Sequence, residues 1–230
     1  MHAFSPDSIS PELIFEWDVV TWSRALPLWT EALSPSGGTA LELGARRGGP
    51  SLWLALHGYD VVCSDITNPE STARPLHAEY GVTDRIRYEA VDAADIPYEN
   101  AFDVILFKSI LGVVGSHGRD DRIVDALRSM HRALRPGGRL LFAENLHGSP
   151  LHRWLRRTFV PWGKSWNYLS PDQLPTLMAP FSEVHWQTVG FLSAFGRGEA
   201  LRRLFGYADR VLDRFIPATW RYVAIGTARK

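Results

Sequence analysis

Three consecutive pieces decide the reading of this chain: Thr39-Ala-Leu-Glu-Leu-Gly44-Ala-Arg-Arg-Gly-Gly49, an apolar run over 50–57, and Gly58-Tyr-Asp-Val-Val-Cys-Ser-Asp65-Ile-Thr67. The first is a strand running into a glycine-rich turn. The second is a buried helix that Gly58 stops, and the third is a strand ending on an acid. Together they predict a βαβ unit with a nucleoside pocket. Gly44, Gly48 and Gly49 let the backbone approach a ligand, and the helix N-terminus supplies free N–H groups. Asp65, 23 positions after Glu42, is placed to accept hydrogen bonds from ribose hydroxyls.

Outward from this unit, strands and helices alternate. Residues 86–91 and 102–107 read as strands, the latter almost continuously apolar, as for a parallel strand covered on both faces. Residues 69–80 and 120–134 read as helices, the second carrying Ile123, Leu127, Met130 and Leu134 on one side. Arg135-Pro136-Gly137-Gly138 is expected to turn the chain into a fifth strand at 139–144. Then the rhythm breaks into a basic, aromatic stretch over 147–169. Ser170-Pro171-Asp172-Gln173 forms a capping box for a helix; 183–192 and 220–227 read as strands, and 199–215 as a helix. Upstream, Ser10 and Pro11 start a helix with Leu13, Trp17 and Val20 at helical spacing, which Pro27 is expected to kink or break. The class is α/β: a single doubly wound, mostly parallel seven-stranded sheet. Without a linker or repeat, residues 1–230 read as one domain, with 1–35 as an N-terminal helical cap and 146–170 as a lid insertion.

Composition narrows the function. Lys and Arg number 25 and Asp and Glu number 25, so the basic footprint of a nucleic-acid binder is missing. A single cysteine, Cys63, excludes an internal disulfide and suits a reducing compartment. The first ten residues lack the pattern of a signal peptide, and no apolar run spans a bilayer, so the expectation is a cytoplasmic protein without stable membrane insertion. His and acidic residues show no ligand spacing, and no metal site is expected.

Four motifs in order and spacing resemble the class I S-adenosylmethionine (SAM) dependent methyltransferases. Leu41 to Gly49 resembles the glycine loop, Ser64-Asp65-Ile66 the ribose acid, and Val91-Asp92-Ala93 the adenine-contacting acid. Phe102-Asp103-Val104-Ile105-Leu106, with the later Leu134-Arg135-Pro136-Gly137-Gly138, resembles the fourth strand and the turn into the fifth. The resemblance covers about 39–144 and implies a Rossmann-like fold with SAM as cofactor. It implies that Gly44 and Gly48 admit the methionine part, that Glu42 orients the loop or meets the ammonium, and that Asp65, with Ile66 beside it, takes the ribose. Asp92 and Ala93 would meet adenine, Asp92 having loop capping as its alternative. Lys108 and Ser109 would line the sulfonium side. One departure stands out: Arg46 replaces the family's middle glycine. It either clamps the SAM carboxylate or is solvated.

Methyl transfer asks the protein to align an acceptor, exclude water and, where needed, remove a proton. Candidates for the acceptor side are Asn145, His147 and Tyr168, with His117 as a further base. Trp17, Trp22, Trp154, Trp162, Trp166 and Tyr168 would close over the site, as a cation-binding lid or as plain packing. Arg153, Arg156 and Arg157 would attract an anionic substrate or membrane surface, or form the wet face of a lid helix. The expected activity is methylation of a small metabolite, with secondary metabolism as its setting. The alternatives are a SAM cyclase releasing methylthioadenosine and forming azetidine-2-carboxylate, and a SAM binder without turnover.

Overall fold

The structure, a computed structural model, describes residues 6, 9–160 and 166–230. Seven strands form one sheet: β1 (Gly38–Leu43), β2 (Tyr59–Asp65), β3 (Ile86–Ala90), β4 (Phe102–Lys108), β5 (Leu134–Asn145), β6 (Ser182–Val189) and β7 (Val223–Arg229). Their order is β3-β2-β1-β4-β5-β7-β6, parallel except for β7, which runs antiparallel to both neighbours. Alternate residues feed two cores. In β4, Val104 and Leu106 join one while Ile105 and Phe107 join the other.

The first face is covered by α1 (Pro11–Phe15), α2 (Val19–Trp22), α3 (Leu26–Ala32), α4 (Gly49–Leu56) and α5 (Glu70–Glu79). The second is covered by α6 (Leu111–Val114), α7 (Asp120–Ala133) and, after α8 (Pro150–Phe159), by α9 (Leu174–Leu177). The last helix, α10 (Glu199–Leu212), packs on α2. Gly206 permits that approach: a Cβ there would come within 2.8 Å of Val20.

Several boundaries differ from the sequence reading, two of them because a distant carboxylate intervenes. The opening helix is two pieces, since Glu16 and Asp18 have positive φ and the Glu199 carboxylate accepts from the N–H groups of Asp18 (2.7 Å) and Val19 (2.9 Å). Pro27 sits in the first turn of α3, where its missing N–H costs nothing, and so begins a helix instead of breaking one. Arg135 to Gly138 lie within β5 as an irregularity, between the Phe102–Leu134 and Val104–Arg139 pairs. Strand β6 stops at Val189 because Asp209 accepts from the N–H groups of Phe191, Leu192 and Ser193 and bends that segment into a short helical turn. Trp220 likewise falls in a helical turn ahead of β7. Trp162 lies outside the described residues.

Candidate active site

The carboxyl ends of β1, β2, β4 and β5 open on one side, at the place where the sheet order reverses between β1 and β4. In doubly wound sheets this is where ligands bind. A cleft of about 660 Å³ lies there, within the usual range for a small-molecule site. Gly44, Arg46 and Asp65 line one wall; Lys108, Ser109 and Asn145 line the floor. Gly44 has φ +72°, and a Cβ there would strike the Ile110 side chain, so any larger residue would push into the cleft floor.

Asp65 is held by two backbone donors, the N–H of Arg46 (3.0 Å) and of Ile66 (2.7 Å), which fix its carboxylate at the rim. Ile66 itself is exposed immediately beyond it. Arg46 takes the left-handed backbone of the glycine it replaces, with φ +50°. Its guanidinium leans over Trp17 (4.8 Å) and lies 3.8 Å from Glu16, so the side chain folds along the cleft rim. Ser109 also has positive φ (59°), and its hydroxyl accepts from Asn145 Nδ2 at 2.5 Å. That bond ties the ends of β4 and β5 together.

The opposite wall comes from far away in the chain. Asp18, Trp22, Arg156, Tyr168, Arg202 and Tyr222 all reach it. Asp18 is 5% exposed; one carboxylate oxygen accepts from the Tyr222 hydroxyl, while Oδ1 is buried without a partner. Burial pushes its carboxyl up to about 6 and drives the Tyr222 hydroxyl well above its ordinary range. Behind them, Ser193 Oγ contacts Tyr222 (2.8 Å) and donates to Asp209 (2.7 Å), so a chain of hydroxyls links two buried carboxylates. The Trp166 indole N–H is a second buried polar group without a partner.

Residues 41–142 match a family model described as a methyltransferase domain. Over that span the chain is similar to methyltransferases. Methyltransferase GfsG of Streptomyces halstedii is 33% identical over 112 residues, covering 47% of this chain and 38% of that protein. Sarcosine/dimethylglycine N-methyltransferase of Aphanothece halophytica is 32% identical over 114 residues, covering 48% and 39%. The chain thus spans about two-fifths of the length of the curated relatives it matches. Among solved structures, the cyclase SpnF superposes with a TM-score of 0.64 at 24% identity, over 90% of this chain and 80% of that one. That likeness shows the fold, and fold alone does not fix the reaction.

The site expectations divide accordingly. Gly44, Arg46, Asp65, Lys108, Ser109, Asn145, Trp17, Trp22 and Tyr168 meet in the one cleft. Glu42 does not face it: it is buried, and its carboxylate accepts from the backbone and hydroxyl of Ser51, fastening the first turn of α4 beneath the loop. Gly48, in left-handed backbone, precedes that helix, and its carbonyl accepts from His77 Nε2 at 2.8 Å. Asp92 pairs with Arg122 (2.5 Å) and accepts from the N–H of Ala94, which is the capping alternative; Ala93 beside it is buried.

Four expectations need correction. The ring face of Trp17 carries Lys108 Nζ at 2.9 Å, with Trp22 at 4.7 Å, so the rings read as a cation-binding lid or as plain packing hold an internal amine. Lys108 also donates to the Phe15 carbonyl (3.1 Å), and burial holds its amine well below the usual range. Arg156 is not on a wet face. It lies over Tyr168 at 4.2 Å and donates to the Leu146 carbonyl at 2.6 Å. His147 lines a neighbouring basic cavity of about 880 Å³, shared with Arg153 and Arg157, instead of the cleft. His117 sits in the helical turn after α6, contacting Ser116, away from the cleft lining. Among the described residues, no cluster of three or more His, Cys, Asp or Glu side chains is arranged to hold a metal.

Asp18, Tyr222, Arg202 and Ser193 were missed. The available signal for Asp18 was an acid among the aromatic and β-branched residues of Phe15 to Trp22, a segment that also holds Glu16, but no local pattern pairs it with Tyr222, 204 positions away.

Proposed function

We propose that this protein transfers a methyl group from SAM to the N–H or O–H of a small metabolite, with Asp18 receiving the acceptor's proton. The observation that carries this reading is the unpartnered Asp18 Oδ1, buried in the same cleft as Gly44 and Asp65. Bound SAM supplies a methyl carbon already activated by a positively charged sulfur. The chain therefore has to hold the two reactants in line and take up a proton. Asp65 suits the ribose hydroxyls because both its oxygens are already aimed by backbone N–H groups. Ile66, exposed just beyond Asp65, offers an apolar surface to the adenine. Gly44 leaves room for the methionine part, and Arg46 on the rim is a candidate partner for its carboxylate.

On the acceptor side, the buried carboxyl of Asp18 is poised near neutrality, which suits a base working at physiological pH. Asn145 and Ser109 would orient the acceptor from the floor, with Tyr168 and Arg156 closing the far end. His147 has a smaller part in this reading, limited to the neighbouring cavity. Self-cyclisation of SAM is disfavoured here, since its aromatic cage is filled by Lys108.

The test is incubation with isotopically labelled SAM and a fractionated small-molecule extract. S-adenosylhomocysteine formed only with extract, together with a labelled N- or O-methyl product, is expected. Methylthioadenosine formed without extract would replace transfer by cyclisation or elimination. Unchanged SAM that nevertheless binds would leave a binder without turnover.

A further inference from the structure

Surface helices of water-soluble domains normally turn their charged side outward and their apolar side inward. Helix α10 does not. Leu204, Tyr207 and Val211 recur every three or four residues along its outer side, with Phe215 in the turn just after it, and the four are 64%, 53%, 53% and 73% exposed. Its acids point the other way: Asp209 and Asp213 are buried, and Glu199 caps the start of α2. Every exposed charge from residue 197 to residue 220 is an arginine: Arg197, Arg203, Arg210 and Arg214. Arg210 and Arg214 lie along the rings of Tyr207 and Phe215, at 5.2 and 5.8 Å, so their stems follow the apolar stripe with the charge at its edge.

Helix α8 repeats the pattern. Leu151, Trp154 and Phe159 are exposed, Arg153 and Arg157 are the exposed charges, and residues 147–160 contain no acid at all. The two helices flank the same short segment, Leu192–Phe195. His152 of α8 stacks on Phe195 at 4.4 Å, and α10 packs against that segment from its own side. The segment also contributes Ser193 and Ala194 to the cleft, to which α8 adds Arg156 and α10 adds Arg202. The apolar and basic faces therefore border the acceptor end of the cleft.

We infer that α8 and α10 form a docking face for an anionic lipid bilayer. Large exposed apolar area marks an interaction surface, and a basic amphipathic helix lies in the headgroup region with its aromatic and leucine side inserted. Charge selects the bilayer over a second copy of this chain. A two-fold contact would set arginines against arginines on helices that themselves carry no exposed acid. Among the described residues, Arg203 alone of these exposed arginines pairs with an acid, Glu12 at 2.6 Å. No helix among the described residues is long and apolar enough to cross a membrane, so the contact is interfacial. Docking stands independently of the methyl-transfer reading. What rests on that reading is its consequence, that the cleft receives an amphiphilic acceptor from the bilayer.

The experiment is flotation of the full chain with phosphatidylcholine vesicles, with and without phosphatidylglycerol. Binding is expected only with the anionic lipid, weakening as salt is raised. Leu204→Glu with Val211→Glu, or Arg210→Glu with Arg214→Glu, should each lower partition by more than about tenfold. Both pairs are exposed, and SAM affinity measured on the same samples reports whether the fold and the cleft survive. The inference is overturned if wild type does not float with anionic vesicles, or if either double variant floats as well as wild type. It is also overturned if sedimentation shows a dimer that Leu204→Glu with Val211→Glu converts to monomer.

Discussion

The two walls of the cleft were built in different ways. The wall with Gly44, Arg46 and Asp65 comes from adjacent parallel strand ends within one βαβ unit. The wall with Asp18, Arg156, Arg202 and Tyr222 is gathered from both ends of the chain. In the first, geometry follows from the strand register and a left-handed glycine. In the second it depends on contacts such as Tyr222 to Asp18 and Glu199 to the start of α2, each spanning about 180 residues or more. A fold can thus keep its cofactor wall fixed while the acceptor wall is redrawn by the flanking segments.

If the walls are separable in this way, Asp18→Asn should damage turnover and spare the cofactor. With the acceptor in hand, we expect kcat/KM to fall by about 10²–10⁴, the usual worth of a positioned base, with SAM affinity unchanged. The wild-type pH–rate profile should rise through about 6, the position of the buried carboxyl, and the Asn variant should lose that limb. An equal loss of SAM binding would break the comparison.

The same group gives a stability test. Its folded-state pKa, about 6, lies above the ordinary 3.8, so between those values the folded state holds the proton more tightly. Asp18 therefore lowers stability as pH rises through that window, and the cost is fully present above it. Asp18→Asn should be more stable than wild type at about pH 8, by on the order of 2 kcal/mol, with the gap closing towards about pH 4. Urea unfolding at the two pH values measures it. A gap that widens in acid would show that the carboxylate is well solvated or paired.

The sequence made the first wall legible and left the second dark for a physical reason. Asp65, Gly44 and the β4 ending at Lys108 follow from local periodicity and turn chemistry, which a linear pattern carries. The break between α1 and α2 does not, because it is imposed by Glu199, nor does the end of β6, which Asp209 bends. Arg156 illustrates the same limit. Its helix spacing gave a basic stripe, but only the packed structure puts this arginine over Tyr168 while Arg153 and Arg157 face water.

Lys108 sharpens the comparison at the boundary of the two walls. Its amine already occupies the Trp17 ring face, and in its protonated form it would meet a bound sulfonium as a like charge. Lys108→Met should remove that repulsion and free the ring, shifting preference towards SAM over neutral S-adenosylhomocysteine by about three- to tenfold. Titration of both ligands reads the ratio, and a shift towards the neutral ligand would place the sulfonium elsewhere.

The smallest effect belongs to Arg46. Arg46→Gly relieves a left-handed backbone but loosens the unfolded chain, so stability should change by less than about 1 kcal/mol. If the guanidinium meets the SAM carboxylate, affinity for SAM should still fall, and affinity for decarboxylated SAM should hold. Equal change for both ligands would leave Arg46 as a rim residue without a ligand contact.

The central claim is that this cleft binds SAM through Asp65, and calorimetry of SAM with wild type and Asp65→Ala tests it most directly. A charged acceptor serving two hydroxyls contributes on the order of 1.5–3 kcal/mol per hydrogen bond. We predict a clear binding isotherm for wild type that vanishes in a variant with an unchanged unfolding curve; equal affinities for the two proteins would contradict the account.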